Sequence, residues 1–139
     1  GRYGVRFMFD LAMHEGQGPV PLRDVAKRQN ISEKYLGHLI PPLKNAGLIH
    51  STRGANGGYV LAKPPAQITL KDILSTLEGP LCLVACVEKP SLCKRAGNCV
   101  SREIWHEATE KMLLALSSIT LKGMIEKDKR ASEALSYAI

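Results

Sequence analysis

The chain has 139 residues, 45% of them hydrophobic and 23% charged, enough to bury the core of one domain. No apolar stretch approaches the ~20 residues of a membrane helix, and no signal-peptide pattern opens the chain, so neither spanning nor secretion is expected. Aromatic residues make up 5%, too few for a platform that stacks single-stranded nucleic acid. The net charge of +6 is uneven: residues 1–64 carry nine Lys+Arg against four Asp+Glu, whereas residues 65–139 carry ten against nine. A basic N-terminal half is what phosphate neutralisation requires, and a merely solvated basic surface has the same signature.

In chain order, Val5, Met8, Phe9, Ala12 and Met13 share one face of a helix over 4–15, which Gly16-Gln17-Gly18-Pro19 ends. Gly1-Arg2-Tyr3 leads into it without a cap, as a sequence beginning inside an element would. Pro21 suits a helix start, and Leu22, Val25 and Ala26 give the second helix an apolar side to about Gln29. Asn30-Ile31-Ser32 makes a tight turn, with Ser32 as N-cap of a third helix carrying Tyr35, Leu36, Leu39, Ile40 and Leu43. Pro41-Pro42 removes two backbone donors, so a kink or an early end is expected there.

Two short apolar segments, Leu48–Thr52 and Gly58–Ala62, flank Arg53-Gly54-Ala55-Asn56-Gly57 and predict a β-hairpin. Thr69-Leu70-Lys71-Asp72 reads as a capping box for a helix through Glu78, stopped by Gly79-Pro80. A loop over 80–100 holds every cysteine. A long helix then begins near Ser101 with a stripe of Ile104, Trp105, Ala108, Met112, Ala115, Leu116 and Ile119. Thr120 is placed to cap a short final helix, followed by a polar tail beyond Lys127. No internal repeat is present.

The expected fold is therefore mainly α with a small β-hairpin wing: a winged helix-turn-helix over 1–66, a capped helix, cysteine loop and long helix over 67–127, and a tail over 128–139. In that layout the third helix enters the major groove and the hairpin tip reaches the backbone or minor groove. Ser32, Lys34, Tyr35 and His38 lie on the exposed start of the third helix, where Ser, Lys and His can bond base edges or phosphates and Tyr35 the backbone or the core. Arg53 and Gly54 sit at the wing tip, Arg53 suiting a narrow, negative minor groove. Arg2, Lys27 and Lys44 are candidate phosphate contacts or simply solvated cations.

Cys82, Cys86, Cys93 and Cys99 fall within 18 residues, and the rest of the chain has no other cysteine. Outside a secretory context such a cluster points to metal or redox chemistry more than to a disulfide framework. Thiolates are the soft ligands that iron–sulfur clusters need, and Pro90 and Gly97 suit a loop folding back on itself. A zinc knuckle is disfavoured because no Cys-x2-Cys is present, and free thiols or a regulatory disulfide remain as alternatives.

Gly1-Arg2-Tyr3, Ser32…Tyr35-Leu36, Asn45-Ala46-Gly47-Leu48 and Ser51…Arg53-Gly54-Ala55…Gly57-Gly58-Tyr59-Val60-Leu61 together resemble the IscR/NsrR/CymR family of bacterial winged-helix regulators. The resemblance runs from residue 1 to about 122 and implies a short stub before Gly1. It implies a cytoplasmic homodimer, joined through the long C-terminal helix, on a double-stranded operator of dyad symmetry. IscR- and NsrR-like members hold an iron–sulfur cluster on three cysteines, and Cys86-x6-Cys93-x5-Cys99 is close to that spacing. The preferred cofactor is a 2Fe-2S cluster, with 4Fe-4S as the alternative.

The fourth ligand does not carry over. Arg102 stands where IscR-like proteins place a histidine, and Arg2 where NsrR-like proteins place an aspartate. Cys82, His106, Glu103 or a group from outside this chain are the remaining candidates, with Cys82 ahead. The DNA-binding half, including Glu15-Gly16-Gln17-Gly18-Pro19 and Leu77-Glu78-Gly79-Pro80, is similar to CymR-like members, which lack the cysteines and act through a protein partner in sulfur metabolism. The alternatives are thus a CymR-like repressor with a cysteine-biosynthesis enzyme as partner, and a nitric-oxide or redox sensor of NsrR type.

An enzyme is not expected. Gly54-Ala55-Asn56-Gly57-Gly58 lacks the spacing and lysine of a phosphate loop, and His106-Glu107 lacks the second histidine of a zinc protease. Glu103-Ile104-Trp105-His106 matches one element of a di-iron bundle without its second copy. No Gly-x-Ser-x-Gly elbow occurs.

Overall fold

The computed structural model describes residues 1–84, 87, 91 and 99–138. Cys86 and Cys93, with most of the expected loop, lie outside that set.

Helix α1 (Arg2–Met13) begins two residues earlier than its apolar pattern and buries Phe7, Met8, Leu11 and Ala12 on one face. Helix α2 (Leu22–Gln29) follows Pro21, whose φ of −62° fits a helix entry and whose missing donor is one the first turn leaves unpaired anyway. It closes on Asn30, which takes the left-handed conformation at φ 53° that a short polar side chain tolerates. Helix α3 (Glu33–Asn45) is capped by Ser32, whose Oγ accepts from the Tyr35 amide at 3.3 Å.

The two prolines do not end α3, because the helix continues through both to Asn45. The carbonyls that lose their donors belong to Gly37 and His38, neither of which is buried, so water can satisfy them. Leu36, Ile40 and Leu43 are all buried, and that packing holds the last turns in place.

Strands β1 (Ile49–Thr52) and β2 (Gly58–Leu61) pair antiparallel, Ile49 opposite Leu61 and Thr52 opposite Gly58. Val20 joins their edge, exchanging two backbone hydrogen bonds of 2.9 Å with Tyr59. Only glycine fits at position 58, since a Cβ there would lie 2.3 Å from the Val20 carbonyl oxygen.

A 3-10 turn (Pro65–Gln67) leads into helix α4 (Leu70–Glu78), which has the expected capping box: the Thr69 side chain accepts from Asp72 N at 3.1 Å and Asp72 Oδ2 from Thr69 N at 3.0 Å. Helix α5 (Val100–Ser118) and helix α6 (Leu121–Ala138) complete the described structure. Their junction is pinned to the core. Leu70 N donates to the Ile119 carbonyl at 2.8 Å, and Leu121 N to that of Ile68 at 3.0 Å.

Thr120 does cap α6, its Oγ1 accepting from Gly123 N at 3.0 Å, but the helix is 18 residues long rather than short. The residues read as a polar tail are helical through Ala138. Their polarity reflects exposure on every side: α6 buries Leu121 and half-buries Met124 and Ile125 against the core, and everything beyond Lys127 whose side chain is described is exposed.

One continuous core joins the two segments of the chain. Phe7, Leu36, Leu43, Ile49, Ile68, Ile73 and Leu121 are almost fully buried, each side chain contributing about 1.5–3 kcal/mol of apolar burial. Among the described residues no helix is long and apolar enough to cross a membrane.

Candidate nucleic-acid interface and cysteine loop

The first turns of α3 face outward. Ser32, Lys34, Tyr35 and His38 are exposed, and the helix runs away from them toward Lys44, exposed in its last turn. The Ser32 hydroxyl accepts the capping bond and retains its proton and one lone pair for another partner. Tyr35 settles between its two readings: it is 42% exposed and its ring meets Tyr3 edge-on, with centroids 5.3 Å apart and planes at 80°. Such an edge contact holds the ring without burying its hydroxyl.

Tyr3 also gathers cations. The Arg2 guanidinium lies 4.9 Å from its ring centroid and that of Arg6 5.6 Å, and Arg2 Nη2 donates to the Tyr3 hydroxyl at 3.1 Å. The N-terminus of α1 and the start of α3 therefore form a single basic, aromatic surface. Arg53 and Gly54 stand exposed at the wing tip, where Gly54 takes a φ of 109° and its carbonyl accepts from Gly57 N at 3.0 Å. Lys27 is exposed on α2.

Behind Arg6 on α1 sits a buried acid, paired with a partly exposed arginine, that the apolar pattern of α1 did not announce. Asp10 is 2% exposed and accepts from Arg28 Nη2 at 2.7 Å, Arg28 Nε at 3.1 Å and Gln29 Nε2 at 3.0 Å. Burial works to raise its carboxyl pKa, but the hydrogen bonds from Arg28 and Gln29 and the charges of Arg28 and His14 outweigh it and hold the carboxyl below the ordinary range. The bond to Asp10 raises the Arg28 guanidinium in turn. The available signal was a lone acid between Phe9 and Leu11 in an otherwise apolar turn.

Cys99 is the N-cap of α5, and its Sγ accepts from Arg102 N at 3.4 Å. The sulfur therefore stands at the head of α5 with a backbone amide directed at it. Leu83 N, next to Cys82, donates to the buried Thr109 Oγ1 at 3.3 Å. Thr109 lies ten residues along α5 from Cys99, roughly 15 Å of helix, so the chain at Cys82 is tied well away from the α5 cap. His106 is exposed, 4.0 Å from Glu110. Glu103, in the first turn of α5, is exposed as well. Among the described residues no group of three or more His, Cys, Asp or Glu is close enough to hold a metal ion.

Along α5 only Thr109 is buried, while Ile104, Trp105 and Leu114 are 60%, 42% and 71% exposed. Among the described residues, α5 packs against α4 on one side and leaves Ile104, Trp105 and Leu114 uncovered on the other.

The chain is similar over its whole length to known regulators. The family profile described as Rrf2, iron-dependent transcriptional regulator, matches residues 1–127. The HTH-type transcriptional regulator CymR of Bacillus subtilis is 40% identical over 139 residues, all of this chain and 96% of CymR. The solved structure of CymR, described as the global cysteine regulator of that organism, superposes with a TM-score of 0.77 over 91% of this chain and 92% of CymR. Protein rrf2 of Nitratidesulfovibrio vulgaris is 43% identical over 124 residues, 89% of this chain and 83% of that protein. The structure of T. potens IscR is 41% identical with a TM-score of 0.77, over 94% of this chain and 85% of that one. The helix-turn-helix, the wing and these relatives together identify the chain as a member of the Rrf2 family of DNA-binding, winged-helix transcriptional regulators.

Proposed function

We propose that this regulator binds a dyad-symmetric operator as a homodimer and that an iron–sulfur cluster in the cysteine loop modulates the binding. Ser32, Lys34, Tyr35 and His38 read the major groove, Arg53 and Gly54 bring the wing to the minor groove, and Arg2 and Lys44 contact phosphates. The exposed apolar face of α5 joins the two copies, which fixes the spacing of the half-sites.

The observation that carries the cluster reading is Cys99 at the α5 cap with an amide directed at its sulfur. Cys86, Cys93 and Cys99 would hold the cluster, and its chemistry would be reversible one-electron redox or ligand exchange. Cys99 starts the same helix that presents the dimer face, so whatever binds its sulfur acts on the head of that helix. Glu103 and His106 stand exposed on its first two turns as candidate fourth ligands, and Cys82 is a third candidate, next to a residue tied farther along the helix at Thr109.

A second reading is favoured by the 40% identity with CymR across the full chain. In it the cysteines do not hold a cluster, and a protein partner such as a cysteine-biosynthesis enzyme controls the regulator. Iron and acid-labile sulfide per chain after anaerobic purification separate the two. About two of each supports a 2Fe-2S site, and about four a 4Fe-4S site. None, even after anaerobic reconstitution, selects the partner-controlled reading.

A further inference from the structure

Tyr3, Arg6, Asp10 and His14 recur along α1 at spacings of three, four and four, a polar stripe beside the apolar face. Three of them reach across to the end of α2 or the start of α3. Tyr3 meets Tyr35 at the start of α3. Arg6 Nε donates to Gln29 Oε1 at 3.3 Å, and its Nη2 donates to the Gln29 carbonyl. Asp10 accepts from Gln29 Nε2 at 3.0 Å as well as from Arg28, while His14 Nδ1 lies 2.8 Å from the Asp10 carbonyl oxygen and steadies the far end.

Gln29 is the hub. It is the last residue of α2, its side-chain oxygen, side-chain nitrogen and carbonyl are all engaged by α1, and Asn30 and the α3 cap follow it directly. Gln29 therefore ties the turn from which α3 departs to α1, alongside the burial of Leu36, Ile40 and Leu43 that seats the helix. His38 lies about six residues, or roughly 9 Å, along α3 from its cap, and a 10° swing of the helix would move it by about 1.6 Å. Hydrogen bonds to base edges tolerate roughly 0.5 Å, so such a swing forfeits them, while phosphate attraction, which varies slowly with distance, survives.

We propose that Arg6, Asp10 and Gln29 are positioning residues for operator recognition, holding α3 at the angle from which it discriminates sequence without themselves touching DNA. The inference rests on α3 being the recognition element.

The test uses the full chain. The wild type selects its duplex from a random pool, and affinities for that duplex and for a scrambled one of equal length are measured across a salt series, alongside Tm. Gln29→Met, which keeps length and removes both polar atoms, is expected to lose tenfold or more on the selected duplex. Affinity for the scrambled duplex and the salt slope should stay unchanged, because the phosphate contacts are the same. Arg6→Lys, which keeps the charge at a half-exposed site but loses the forked pair of bonds to Gln29, is the companion should Gln29→Met fold poorly, and its loss should not add to that of Gln29→Met. A lower Tm with an unchanged ratio of selected to scrambled affinity, or a parallel loss on both duplexes, would overturn the inference. Failure of the wild type to enrich any duplex would overturn the α3 reading itself, a distinct outcome.

Discussion

The region before Ala62 and the helix α5 treat their side chains in opposite ways. In the first, α1, α2, α3 and the hairpin bury Phe7, Val25, Leu36, Leu43 and Ile49 within one chain and leave no buried polar side-chain atom among the described residues without a hydrogen-bond partner. In α5 the chain buries Thr109 and leaves Ile104, Trp105 and Leu114 in water. The contrast teaches that one part buries its apolar side chains within the chain, while the other leaves large apolar side chains exposed, the face on which the proposed dimer depends.

The comparison can be broken most forcefully at α5. Trp105→Glu puts a charge on the exposed apolar face and is expected to convert a dimer to monomers by sedimentation equilibrium. Operator affinity should fall about 100-fold or more, because two linked half-site contacts become one. A wild type already monomeric in solution would remove α5 as the dimer helix.

The next largest effect is expected within the completed half. Gly58→Ala drives a Cβ into the Val20 carbonyl and should cost about 2–4 kcal/mol of unfolding free energy, with loss of the Val20–Tyr59 bridge. Slowed amide exchange at Tyr59 in the variant, matching the wild type, would contradict that packing.

Asp10→Asn should be milder, about 1.5–3 kcal/mol at neutral pH, since Arg28 is 38% exposed and can turn to water. The pH dependence has a definite sign. The Asp10 carboxyl is held below its unfolded value, so its contribution is fully present above the ordinary carboxylate range and disappears as pH falls through the folded value. Denaturation midpoints for wild type and Asp10→Asn should therefore converge in acid and diverge toward neutrality. Parallel curves would show that the pair with Arg28 does not contribute.

The smallest effects sharpen the DNA-facing surface. Arg53→Ala is expected to weaken operator binding by about tenfold with altered sequence preference, and Lys44→Ala to lower the salt slope by about one unit with preference intact. Equal behaviour of the two would mean that the wing does not read the groove.

Much of this was legible in residue order. Ser32, the Thr69–Asp72 box and Asn30 act through bonds to backbone groups within three or four residues, so local sequence carries them. The hairpin followed in the same way from its glycine-rich tip. Other features depended on what lies across the fold. Pro41-Pro42 predicted an interruption by local rules, and burial of Ile40 and Leu43 against other elements overrode it. The length of α6 was hidden because a solvated helix has no apolar period to read.

By itself, then, the amino-acid order determined most of the elements, the caps at Ser32 and Thr69, the wing and the cysteine spacing, because each rests on near neighbours in the chain. It did not determine the run of α3 through its prolines or the length of α6. Only the tertiary structure decided that Asp10 meets Arg28 and Gln29, that Tyr3 backs Tyr35, and that Leu83 docks on Thr109. Those partners are 18 to 32 residues apart, and no periodicity records which distant group will satisfy a buried charge or an exposed ring.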